Sequence, residues 1–260
     1  MTDPAPIIAV RDVSTRFGDH VVHDGVSLTV NPGEVFAIAG GSGSGKTLLM
    51  RELLMLHQPD QGSIALFGQD LRRADPALVR ALRRRCGVLF QQGALFSGLT
   101  IAENVALPLR EHGGVSRTLT EEVAALKIAL VGLPAMAGAL RADELSGGMR
   151  KRAALARAIA LDPEILLLDE PSTGLDPVSA AGIDELVLRL RHLLGLTVVM
   201  VTHDLDTLWR VTDRVALLGQ GRICGIGTMA ELSASAEPVS REYFSGPRGR
   251  AARGEIWKHE

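Results

Sequence analysis

The feature that most narrows what this chain can become is an apolar run, residues 35–39, passing without interruption into Gly40, Gly41, Ser42, Gly43, Ser44, Gly45, Lys46 and Thr47. Leu48, Leu49, Met50, Leu53, Leu54 and Leu56 follow as an apolar helix that ends near Pro59. Strand, glycine loop and helix in this order fit the phosphate-loop pattern GxxxxGK[ST]. Glycines let successive backbone N–H groups turn inward as an anion nest at a helix N-terminus. Lys46 then neutralises β and γ phosphates, and Thr47 offers a hydroxyl to Mg²⁺, which takes hard oxygen ligands. The loop implies a bound nucleotide and leaves its use open.

Two further apolar runs end in polar residues. Residues 165–168 stop at Asp169 and Glu170, and residues 197–201 lead to His203. Continuous apolar strands suit a parallel sheet covered on both faces, and such sheets bind ligands at the carboxyl ends of their strands. Asp169 is placed to face Mg²⁺ through its water shell, and Glu170 to polarise a water attacking the γ-phosphate. Gln91, after residues 87–90, can bridge metal, water and the helical segment that follows; His203 can hydrogen-bond the γ-phosphate. A solvated strand-end pair before Pro171 and a capping histidine are the plainer readings of the same residues. Residues 7–10 and 26–30 read as further strands near the amino end.

Composition restricts the partners. The 260 residues carry 28 basic and 30 acidic side chains, net −2, so no global positive field draws in a phosphate polymer. Aromatic residues are 3% of the chain, too few to offer many stacking platforms for single-stranded bases, so no nucleic acid partner is expected. Cys86 and Cys224 fall in no metal or redox pattern and read as reduced thiols. The polar, proline-broken first residues do not read as a leader, and no apolar stretch approaches the roughly 18 to 20 residues that cross a bilayer. Any membrane role would come through a partner.

From about residue 93 to 148 the pattern turns helical. Its clearest segment is 121–131, with Val123, Leu126 and Leu130 as the apolar face. From about 236 to 260, Pro and Gly punctuate what looks like an extended tail carrying Arg248, Arg250 and Arg253. Three arginines are too few to anchor a membrane. A solvated terminus competes with docking of Tyr243, Phe244 and Trp257 on a partner.

The deciding signal is Leu145-Ser146-Gly147-Gly148-Met149 at the head of a basic amphipathic helix. Ser146 offers a hydroxyl, and the N–H groups of Gly147 and Gly148 can meet a second phosphate. Taken with Gly40 to Thr47, Gln91, Asp169, Glu170, residues 172–176 and His203, it makes residues 7–235 resemble the ATP-binding subunit of an ABC transporter. The resemblance implies an α/β P-loop NTPase of ABC type. That means a RecA-like parallel-sheet core, an N-terminal antiparallel β region and an inserted α-helical subdomain. Residues 1–92 and 149–235 would form the core, 93–148 the insert and 236–260 the tail.

It also implies ATP and Mg²⁺ as cofactors, with Thr47, Gln91 and Asp169 toward the metal. Ser146, Gly147 and Gly148 of one copy would close over the γ-phosphate held by the other, with Asp176 at the contact between protomers. The chain would then work as an ATP-sandwich homodimer. Phe17 occupies the place of an adenine platform, where the family more often has tyrosine, and Met149 stands where glutamine is usual.

Residues 91–97 and 103–112 together with the Leu-Ser-Gly-Gly-Met signature are similar to the Mla-type ATPases of bacterial phospholipid trafficking. That similarity implies an integral membrane permease, a periplasmic MCE lipid-binding protein, a STAS-domain accessory protein and a place on the cytoplasmic face of the inner membrane. A groove near residues 91–104 would grip a permease helix. An importer ATPase for amino acids or another small solute stays open as an alternative. A soluble ABC ATPase would bring a second ATPase module or a coiled-coil insertion, and a kinase-like enzyme would leave Leu145 to Met149 without a purpose.

Overall fold

The structure is a computed structural model and describes residues 5–111 and 116–245. In chain order, strands β1 (Ile8–Phe17), β2 (His20–Val30) and β3 (Val35–Ala39) precede helix α1 (Lys46–Leu53). Then come β4 (Gln61–Leu66), β5 (Gln69–Asp70), α2 (Pro76–Arg84) and β6 (Cys86–Leu89). Three helices follow: α3 (Ile101–Glu111), α4 (Arg117–Leu130) and α5 (Gly147–Ala158). The remainder is β7 (Ile165–Asp169), α6 (Pro177–Leu194), β8 (Thr197–Val201), α7 (Leu205–Val211), β9 (Arg214–Gly219), β10 (Arg222–Gly227), α8 (Met229–Ala234) and α9 (Pro238–Ser245). Two compact units divide these elements: residues up to Arg80 with those from Val199 onward, and Ala81–Val198.

In the first unit β1 pairs antiparallel with both β2 and β4, giving the order β2-β1-β4-β5 and the antiparallel region expected near the amino end. Both β1 and β2 run longer than the apolar stretches 7–10 and 26–30. Register shifts and the positive φ of Gly25 (71°) carry the pairing across their polar stretches. All five residues of β3 are buried. It runs parallel to β9, with Ala39 opposite Leu217, so the glycine loop emerges beside the end of β9.

In the second unit β6 runs parallel to β7, with Leu89 opposite Leu168. The two strands therefore finish level, and Gln91 and Asp169 leave the same sheet edge. Strand β8, divided at Val198/Val199, continues the order in each unit: β10-β9-β3-β8 in the first and β8-β7-β6 in the second. Every residue of β7 and β8 is buried, which is why these runs are unbroken by polar residues. At about 25 cal/mol per Å² removed from water, each of their Ile, Leu, Val and Met side chains stabilises by about 1.5 to 3 kcal/mol.

Three expectations are corrected. The stripe Val123, Leu126, Leu130 is not the buried face of α4: Leu126 is 56% exposed, and the helix buries Thr120, Ala124, Lys127 and Ile128 instead. Lys127 is kept inside by its ion pair with Asp162, which rotates the face away from the one hydrophobicity alone selects. The stretch after residue 236 is not extended throughout, because α9 occupies Pro238–Ser245 and buries Phe244 within its own unit. Phe244 is therefore not available to dock on a partner. Asn104, expected beside an open groove, is wholly buried. Its amide donates to the carbonyls of Phe96, Leu99 and Thr100 and its oxygen accepts from the Phe96 N–H. Arg248, Arg250, Arg253 and Trp257 lie outside the described residues.

Candidate functional site

The phosphate loop lies in the first unit. Gly40 has φ 153°, and a Cβ there would meet the Leu218 carbonyl oxygen at 2.2 Å, so the loop's first residue must be glycine for β9 to approach. Around Gly41 and Gly43 the space is open. Lys46 is buried, and its ammonium donates to the carbonyls of Gly40 (2.9 Å) and Gly41 (2.7 Å) and to the Ser44 hydroxyl (3.4 Å). Gly45 caps α1 without a side-chain oxygen, so no side chain of the cap residue competes for the helix's first N–H groups. Ser42 and Thr47 are exposed. The loop borders a cavity of about 560 Å³ that also receives the β9–β10 turn and Tyr243 of α9.

Phe17, at the end of β1, is 53% exposed and its ring lies 5.3 Å from that of His57, tilted by 32°. His57 was not picked out from the sequence. His203 follows β8 and is exposed.

The second unit holds the carboxylates. Asp169 closes β7, 5% exposed, and Glu170 follows it, 8% exposed. Glu170 has φ 49°, a left-handed conformation that costs a non-glycine residue of order 1 kcal/mol or more and is often found at functional sites. Its Oε2 accepts the Thr173 hydroxyl at 2.9 Å. Gln91 is exposed, but its main-chain oxygen is not idle. The Lys151 ammonium donates to it at 2.5 Å and to the Glu170 carbonyl at 3.1 Å. Burial pulls the Lys151 ammonium below its ordinary value, against the opposing pull of Asp169 and Glu170.

Ser146 caps α5, its hydroxyl oxygen accepting from the Met149 N–H at 3.3 Å. Gly147 and Gly148 form the first turn, where a Cβ would reach Leu175 and Ser179 at 3.3 and 3.5 Å. The signature therefore packs against the start of α6. There Asp176 is the cap, accepting from the N–H groups of Val178 and Ser179 at 3.0 Å each. Hydrogen bonding to Ser179, through its side chain and its N–H, holds the Asp176 carboxyl below the usual range. Within this unit the structure brings together Gln91 with Glu170, through Lys151, and the signature glycines with the helix that Asp176 caps.

The residues suit their ligands. An open glycine loop around a buried ammonium fits a phosphate chain, and hydroxyl and carboxylate oxygens are the donors that Mg²⁺ accepts. Among the described residues no three His, Cys, Asp or Glu side chains group as a protein-only metal cage. A family model described as ABC transporter matches residues 23–173, more than half of the chain.

The chain belongs to the ABC transporter family.

As an ABC ATPase it binds ATP and hydrolyses it for transport. It is 40% identical over 240 residues to the intermembrane phospholipid transport system ATP-binding protein MlaF of Haemophilus influenzae, covering 92% of this chain and 90% of that one. To the methionine import ATP-binding protein MetN of Caulobacter vibrioides it is 42% identical over 228 residues, 87% of this chain and 68% of that one. Among solved structures, a dimeric post-hydrolysis state of the ATP-binding cassette MJ0796 bound to ADP and Pi matches with TM-score 0.78 at 29% identity, over 85% of this chain and 98% of that one. The ABC fold with its antiparallel amino-terminal sheet is thus as the sequence implies.

What the sequence did not reveal in this ABC subunit is the inward turn of the signature helix's basic residues. Besides Lys151, Arg157 donates to the carbonyls of Gly93 (3.0 Å) and Ala94 (2.7 Å), and Arg152 to that of Val131 (2.8 Å). The basic amphipathic pattern of the segment suggests instead that these side chains face solvent. The only hint against it was the spacing of Lys151 among Ala153, Ala154, Leu155 and Ala156, all buried.

Proposed function

We propose that this chain powers phospholipid transport of the Mla type, working as a pair on an integral membrane permease. The observation that carries the reading is the phospholipid-transport relative, matched over nine tenths of both chains. The methionine-import relative, matched over only 68% of its own length, supports the second reading, a small-solute importer.

In the first reading the loop from Gly40 to Thr47 and the Lys46 ammonium hold the β and γ phosphates, Phe17 stacks on adenine and His203 meets the γ-phosphate. Thr47, Gln91 and Asp169 are the residues that would hold Mg²⁺, which supplies charge neutralisation on the phosphate oxygens. Glu170 orients and deprotonates the attacking water. Ser146, Gly147 and Gly148 of each copy complete the other copy's site, with Asp176 at the seam; the dimeric state of the structural relative supports this pairing. Closure is a population shift driven by tighter ATP binding in the closed pair, and hydrolysis resets it.

Residues 93–148 form the permease-facing segment. A groove of about 480 Å³ between α3 and α4, floored by Ala106 and Ala124 and edged by Arg110 and Glu121, supports this. None of the described helices is long and apolar enough to cross a membrane; in this reading the permease holds the chain at the cytoplasmic face. A STAS-domain protein and a periplasmic MCE protein complete the assembly. Mild-detergent purification of the tagged chain, with mass spectrometry of the accompanying proteins and lipids, tests the reading. A permease with an MCE protein and phospholipid is expected; a solute-binding protein and its permease would favour the importer.

A further inference from the structure

Beneath the phosphate loop runs a buried polar chain that none of these roles uses. His23 of β2 is wholly buried, and its Nε2 lies 3.1 Å from the carbonyl oxygen of Gly45. A carbonyl only accepts, so the ring must donate there and Nε2 carries a proton. On its other side Nδ1 faces Oε2 of Glu52, in α1, at 3.2 Å, an ion-pair distance, and neither atom has a hydrogen-bond partner. The second oxygen of Glu52 accepts the hydroxyl of Thr15 at 2.5 Å. Thr15 is 0% and Glu52 1% exposed. The contact sets the His23 ring against the Glu52 carboxyl in a dry interior, where titratable groups are kept in pairs.

The Gly45 carbonyl already accepts the first intrahelical bond of α1, from the Leu49 N–H at 2.9 Å. A second donor on the same oxygen holds the Gly45–Lys46 peptide against rotation. A trans peptide is planar, with its C=O and N–H pointing opposite ways, so fixing the oxygen fixes the direction of the Lys46 N–H as well. The fit leaves no slack: a Cβ on Gly45 would stand 2.6 Å from Nε2.

We propose that His23, oriented by Glu52 and Thr15, is a positioning residue that presets the phosphate loop and so raises its affinity for ATP. The inference rests on the reading of Gly40 to Thr47 as the phosphate site. Preorganised donors bind more tightly because less ordering remains to be done when the ligand arrives.

The test is ATP affinity of the full-length chain, measured by equilibrium titration beside its thermal unfolding. His23→Leu alone would strand the Glu52 carboxylate, so the first decisive variant is the double change His23→Leu with Glu52→Leu. Replacing a buried ion pair by apolar residues commonly preserves stability. The double variant, in which the Thr15 hydroxyl also loses its acceptor, should stay folded with its unfolding temperature lowered by no more than one orphaned hydroxyl costs, yet bind ATP about tenfold more weakly, the worth of one good hydrogen bond. Wild-type affinity in the folded double variant would overturn the proposal.

A second comparison stands if that variant does not fold. His23→Gln places its amide where Nε2 stands and should keep near-normal affinity, whereas His23→Asn places it where Nδ1 stands, keeps Glu52 partnered and should lose about tenfold. Equal affinity in the two would overturn the proposal. Lys46→Ala separates the levels. If it too binds ATP normally, the phosphate-loop reading itself is wrong; if it loses ATP while the His23 variants do not, only the role of His23 falls.

Discussion

The Lys151 ammonium lies 3.1 Å from the carbonyl oxygen of Glu170, the residue that takes the left-handed turn at the end of β7. Its other bond goes to the Gln91 carbonyl, so one side chain of the signature helix ties two strand ends to itself. Lys151→Met keeps the length of the stem and removes both bonds. A hydrogen bond to a charged donor contributes about 1.5 to 3 kcal/mol, so kcat for ATP hydrolysis should fall roughly ten- to a hundredfold. ATP affinity should stay within about twofold, because the phosphate loop is untouched. Steady-state kinetics beside an ATP titration check this; an equal loss in both would point to general unfolding instead.

Glu170→Gln removes the proposed base while keeping shape and the Thr173 contact. Loss of general base catalysis costs typically 10² to 10⁴ in rate. The variant should bind ATP and accumulate as an ATP-bound pair, seen as a doubled mass in light scattering with ATP. Undiminished turnover in a purified complex would contradict the assignment.

Asn104→Ala tests the loop that runs from Gln91 to α3. The change orphans the Phe96 N–H and removes the donor to three carbonyls. Each buried group left unsatisfied costs about 1 to 3 kcal/mol, so denaturant unfolding should show a loss of at least about 2 kcal/mol.

How much of this was legible in the sequence follows a physical line. The places of Gly40 to Thr47, Asp169, Glu170 and Leu145 to Met149 at strand ends and helix starts could be read because each lies within one short segment whose backbone geometry its own residues dictate. Lys151 could not, since its partners are 60 and 19 residues away and an ammonium among alanines looks solvated until the fold delivers carbonyls to it. The α4 stripe failed for the same reason: Lys127 finds Asp162 at 35 residues' distance and turns inward. His23 and Glu52 read as ordinary surface residues in a line of text, 29 positions apart, and only the pairing of β2 with the back of α1 makes them neighbours. Strands β9 and β10 stayed unassigned, although β9 supplies the close approach that requires Gly40.

Burial pushes the Cys86 thiol up to about 12 from 9.0. Above pH 9 the unfolded chain loses this proton while the folded chain keeps it, so the unfolded state binds fewer protons and stability falls as pH rises. The contribution is full below pH 9 and is lost progressively toward pH 12. Denaturant midpoints across that window should therefore decline less steeply for Cys86→Ala than for the wild type; parallel declines would contradict the burial argument.

The most direct measurement is ATPase rate per chain through a dilution series, with oligomeric state read in the same samples by light scattering. If each nucleotide is closed over by the Ser146 to Gly148 turn of a second copy, the rate per chain should fall in step with the fraction of pairs. A chain that remains fully active where only single copies are present would contradict the shared site.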